Sequence, residues 1–159
     1  MNDSQDKLNF IINKTREVFE KDKFISPIAF LSNKTDMILI PGLEFSDESS
    51  KDLFANIIQK TCQEKKIIEL FLITESWFKE FKKEEDFELN GKAVSEYEDK
   101  KEVIMITHET KLSNDLYFIP ILRNGDDVKL GELEKMKGAS GRGRFTGFLY
   151  SEDIENVKH

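Results

Sequence analysis

The 159-residue chain carries 31 acidic against 24 basic side chains, a formal net charge of −7. It therefore lacks the general basic field that phosphate neutralisation requires, and nucleic-acid binding is not expected. A single cysteine, Cys62, excludes an intramolecular disulfide and a cysteine-built zinc site, and no apolar run approaches the roughly 18 residues that cross a membrane.

The N-terminus, MNDSQDKLNF, has no basic region followed by an apolar one. No secretion signal is expected there, and a cytoplasmic protein of one domain, residues 1–159, is the default. Apolar residues make up 38% of the chain, with 13 Phe against 1 Trp and 3 Tyr, so bulky rings must fill the core from few positions. Residues 4–22 read as a helix, with Leu8, Ile11, Ile12, Val18 and Phe19 at three- and four-residue steps. "ISPIAFLSNKTDMILIPG" follows as a hairpin around Ser32-Asn33-Lys34-Thr35. "SDESSKDLFANIIQKTCQEKK" is the second helix. Ser49 and Asp52 suit a capping box, and Leu53, Phe54, Ile57, Ile58 and Cys62 form its stripe.

A strand from Ile67 to about Phe78 comes next, then a highly charged stretch punctuated by Phe81, Phe87, Leu89 and Tyr97. "EVIMITHET" and "LYFIPILRNGDDVKLGEL" read as further strands. Asn124-Gly125 marks a tight turn, and Pro120 places its strand at an edge or a bulge. "EKMKGASGRGRF" reads as a glycine-rich loop and "FTGFLY" as a last strand. The order predicts an α+β fold: an antiparallel sheet of five or six strands, hairpin plus meander, with two helices packed on one face.

That arrangement carries a packing problem. On the 67–78 strand, Ile68, Leu70, Leu72 and Phe78 lie on one side and Ile67, Phe71, Ile73 and Trp77 on the other. An antiparallel sheet with one wet face alternates apolar with polar instead. With both helices on one face, the other needs cover from the charged loop, from the C-terminal segment, or from a protein partner such as an identical chain.

Three features carry candidate chemistry. Glu75 interrupts an apolar strand. Unpaired, its raised pKa would suit acid–base work, whereas an ion pair with Arg123 or a strand end reaching water is the plainer alternative. His108 is one of two histidines and shares a side with Ile104 and Ile106, while its neighbour Glu109 points to the opposite face. "GASGRGRFTG" offers Arg142 and Arg144 between glycines as an anion-binding loop. It ends in neither the Gly-Lys-Ser/Thr of a P-loop nor a dinucleotide fingerprint, so no cofactor is implied, and no metal-ligand spacing occurs.

The segment "TESW", the charged loop after it, and "KKEVIMITHET" together resemble a family of small uncharacterised bacterial proteins with a Glu-Ala-Trp strand end and an Arg-Lys-Glu strand start. The matching positions are Glu75, Ser76 and Trp77, then Lys100, Lys101 and Glu102, with Ser76 and Lys100 departing from the pattern. The resemblance implies that Glu75, Trp77 and Glu102 form one constellation, and it brings no activity with it. The sequence thus supports a non-enzymatic protein-interaction module, homodimeric in one version, with Trp77, Glu102, Arg123, Arg142 and Arg144 as binding residues. The alternative is a hydrolase in which Glu75 and His108 meet and the arginine loop holds an anionic substrate. The two differ in whether Glu75 and His108 come within hydrogen-bond reach.

Overall fold

Helix α1 (Ser4–Asp22) buries Leu8, Ile11, Thr15 and Phe19 along one stripe. Thr15 returns its hydroxyl to the Ile11 carbonyl at 2.7 Å, so the one polar residue in that stripe is satisfied. The computed structural model describes residues 4–42, 47–78, 101–136 and 147–149. After α1 come β1 (Ile28–Ser32), β2 (Met37–Pro41), α2 (Glu48–Glu64), β3 (Glu69–Phe78), β4 (Lys101–Thr110), β5 (Asn114–Asn124), β6 (Asp127–Leu130) and β7 (Glu134–Met136). The seven strands form one sheet in the order β2-β1-β3-β4-β5-β6, with β7 also on β5. Every pairing is antiparallel. The α+β class and the antiparallel sheet are as the sequence predicts.

The helices depart from expectation: they lie on opposite faces of the sheet. Strand alternation sends Phe71 and Ile73 to one side, where they join Leu8, Ile11 and Phe19 of α1 with Ile104, Ile106, Ile119 and Ile121. Leu70 and Leu72 go to the other side, where they meet Phe54, Ile58 and Cys62 of α2 with Ala29 and Leu31. The doubly apolar strands that posed the packing problem therefore serve two helices, one above and one below. Ile11, Ile58, Leu70, Ile104, Ile106 and Ile119 are all fully buried.

Local chemistry sets the element ends. α2 starts at an Asp47 cap whose carboxylate accepts from the Ser50 N–H at 2.8 Å, while the Asp47 N–H donates to the Ser50 hydroxyl. The box is thus shifted two residues upstream of the Ser49–Asp52 pairing read from the sequence. Gly42 closes β2 against Pro27, where an added Cβ would come within 2.9 Å of the proline ring. Gly125, at φ +62°, makes the turn between β5 and β6. Pro120 sits where β5 changes partner, between the residues paired with β7 and those paired with β6, and its carbonyl accepts from Gly131 at 2.8 Å. The missing proline donor therefore falls in a gap of the ladder. The "FTGFLY" strand is not formed at Gly147–Leu149, which make a bend, whereas β7 arises inside the stretch read as a loop.

Because each face of the sheet has its own helix, truncating either side should cost alike. Phe19→Ala and Ile58→Ala are each expected to lower unfolding free energy by about 3–4 kcal/mol in urea denaturation.

Candidate functional site

A polar cluster occupies one end of the α1 face. Glu69 is the first residue of β3 and is 5% exposed. Its Oε1 accepts from Lys7 Nζ of α1 at 2.8 Å, and its Oε2 accepts from His108 Nε2 of β4 at 2.8 Å and from the Ser4 hydroxyl. Lys7 also reaches the Ser32 hydroxyl of β1 at 3.4 Å. Burial alone would raise the Glu69 pKa. Hydrogen bonds from Lys7, Ser4 and His108, together with the Lys7 charge, outweigh it and hold the carboxyl below its usual range. An ionised carboxylate only accepts, so His108 donates from Nε2. Its ring stacks on Phe71 at 4.2 Å between centroids. Serine, lysine and histidine all converge on one carboxylate and neutralise it. The ionised carboxylate is engaged by all three donors, and the arrangement ties α1, β3 and β4 together.

Glu75 and His108 do not meet. The ladder pairs Glu75 with Ile104 and His108 with Phe71, four residues apart, which is roughly 13 Å along a strand. The Glu75 carboxylate is exposed and accepts the Ile25 N–H at 2.7 Å, fastening the connection between α1 and β1. Glu102 takes two donors from Arg123, Nε and Nη2, each at 2.8 Å. That contact and the nearby Glu75 charge raise the Arg123 pKa further. Glu75, Ser76, Glu102, Ile121 and Arg123 line a shallow recess of about 350 Å³. Trp77 stands opposite Glu102 in the register. The structure therefore brings Glu75, Glu102 and Arg123 together. With two carboxylates against one guanidinium, the recess is not an anion site. Arg142 and Arg144 lie outside the described residues.

The second candidate is the β2 border of the sheet. Between α1 and the β1–β2 hairpin lies an apolar recess of about 250 Å³, lined by Val18, Phe24, Ile28, Phe30 and Pro41 among others. Val18, Phe24, Met37 and Leu39 are between 41% and 55% exposed. Phe10 lies on the same flank of α1, one turn before Lys14, which also lines the recess. On the other face, Leu53 and Ile57 of α2 are exposed. Helical phase sets Leu53 and Ile57 on the side of α2 away from Ala55 and Cys62. Val18, Phe24, Met37 and Leu39 thus gather about one border of the described sheet, an arrangement that scattered surface leucines would not give.

The profile described as "Bacteriophage lambda protein ea47" matches residues 1–144, about nine-tenths of the chain. The chain belongs to the bacteriophage lambda protein ea47 family. No curated protein and no solved structure matches it. The match places the chain in a phage family and does not test the Glu75–Trp77 and Lys100–Glu102 motifs.

In this ea47-family protein, sequence reasoning missed Glu69. A signal was present: the carboxylate lies two positions before Phe71 on the same side of the strand, and antiparallel pairing with β4 carries it toward the one internal histidine. Glu109, on the opposite face as expected, is 2% exposed and accepts the Leu149 N–H at 2.9 Å. Burial, then the Glu109 charge, pushes the Cys62 thiol up to about 12, which leaves it inert as a nucleophile.

Two outcomes follow for the ea47-family protein. The folded pKa of Glu69 is depressed, so its stabilising effect is complete above the ordinary carboxylate value and fades as pH falls through the lower folded value. Glu69→Gln should therefore lose roughly 2–3 kcal/mol at neutral pH, and urea titrations should find the gap from wild type closing on acidification below pH ~4. Cys62 should react with an aromatic disulfide reagent only as fast as the protein unfolds, with the rate climbing as urea is added.

Proposed function

We propose that this ea47-family protein is a non-enzymatic interaction module that works in the cytoplasm and docks a protein partner on the β2 border. The observation that carries this reading is the convergence of exposed Val18, Phe24, Met37 and Leu39 on one border strand and the α1 flank beside it. Monomeric proteins rarely keep apolar surface concentrated this way, and an open strand edge invites pairing. The net charge of −7 maintains solubility while the border stays sticky. An identical chain is one partner of this kind.

The competing hydrolase requires Glu75 and His108 to act on one substrate. Each is already committed to a different structural contact, Ile25 in one case and Glu69 in the other.

Affinity capture from phage-infected cells tests the reading, with wild type compared against the Phe24→Asp, Leu39→Lys double variant. Both side chains are more than half exposed, so the variant should fold. A protein retained by wild type and lost with the variant is expected. Identical recoveries from the two would overturn the assignment of the border.

A further inference from the structure

We infer that the occupant of the β2 border is a second copy of this chain, joined by antiparallel pairing of β2 with β2 about a two-fold axis at Ile38. The inference rests on the interaction reading above and adds the partner and its geometry.

The hydrogen-bond phase of β2 fixes what the border offers. The Asp36 carbonyl accepts from Asn33, and the Gly42 N–H donates to Pro27. Even-numbered residues from 36 to 42 therefore turn their backbone groups inward to β1, and Met37, Leu39 and Pro41 turn theirs outward. Proline at 41 costs nothing to the β1 ladder, because its missing donor is on the open side. Among the described residues no strand pairs with this edge, and within β2 it presents the N–H groups of Met37 and Leu39.

A two-fold axis at Ile38 sets Met37 opposite Leu39 of the second copy, and the reverse. All four outward donors find carbonyls, and Pro41 falls beyond the paired stretch. Centring on Leu39 instead would set Met37 against Pro41, which cannot return a hydrogen bond. The sequence between Met37 and Pro41, MILIP, contains none of the charged residues that usually guard an edge strand.

The axis of such a pair stands perpendicular to the sheet, so like faces stay together. Met37 and Leu39 from both copies meet on the α1 side, flanked by Val18 and Phe24. Ile38 meets its own copy on the α2 side. Each exposed apolar flank is therefore opposed by itself, as an isologous contact demands.

The area fits a reversible contact. The half-exposed Val18, Phe24, Met37 and Leu39 present on the order of 300 Å² of apolar surface per copy. That is the share of a small, concentration-dependent interface, to which the paired backbone adds its hydrogen bonds.

Sedimentation velocity from micromolar to near-millimolar protein, with amide hydrogen exchange by NMR on the same samples, tests the inference. A reversible dimer is expected, with the Met37 and Leu39 amides gaining protection as concentration rises. The Ile38 and Ile40 amides, which face β1, should be protected throughout. Leu39→Lys should weaken association on the order of 100-fold, since both copies lose an apolar contact at the centre. Leu39→Pro, which removes an outward donor along with the leucine contact but no donor of the β1 ladder, should weaken it as well while leaving the Ile38 and Ile40 protection intact. A strict monomer at every concentration would overturn the identical-chain partner. A dimer without concentration-dependent protection at Met37 and Leu39 would overturn the edge geometry. Neither of those results touches the docking of a different protein on the border, which capture with the border variant judges separately.

Discussion

Apolar side chains leave both faces of β3, and that constraint obliges the fold to supply cover on each side of the sheet. Leu70 and Leu72 call for α2, while Phe71 and Ile73 call for α1. The rest of the architecture follows. β3 takes a central place between β1 and β4, and each helix spends its apolar stripe on one face. Among the described residues, exposed apolar side chains gather at the β2 border, Met37 and Leu39 with Val18 and Phe24 beside them, where the helices do not reach the edge of the sheet.

The charged residues inside this frame act as fastenings. Glu69 gathers Ser4, Lys7 and His108, so the start of α1 is tied to the start of β3 and the end of β4. Glu75 takes the Ile25 N–H and ties the exit of α1 to β3. One strand thus holds α1 at both ends, by carboxylates six residues apart on the same face. This explains why a strand so apolar contains acids at all. They stand where the strand passes the helix termini, and between them the face is wholly apolar.

Much of this was legible in the residues. The periodicity of Leu8, Ile11 and Phe19 marks α1, Asn124-Gly125 marks the β5–β6 turn, and the doubly apolar 67–78 stretch marks the central strand. The placement of the helices was not legible, because an amphipathic stripe says that a helix packs on a sheet but not which face receives it. The two sides of β3 did hold that information, since equal apolarity above and below is best met by one helix each. The site was harder to read. Glu75 and His108 stood out by their rarity in apolar surroundings, yet the register separates them. Glu69 was passed over because it looks like the polar start of a strand, and its role emerges only when α1 is laid across it. The β2 border was invisible for a related reason: MILIP reads as core, and only the strand order shows that one of its edges has no neighbour among the described strands.

The two margins of the sheet are unlike in a way that governs growth. Opposite β2 the sheet ends in β6 and β7, strands of four and three residues bearing Asp127, Lys129, Glu134 and Lys135. Short, charged and split at Pro120, that margin repels further strands. Self-association through β2 as proposed would close on itself: each molecule of the pair would turn its short, charged margin outward, which disfavours growth into a fibre.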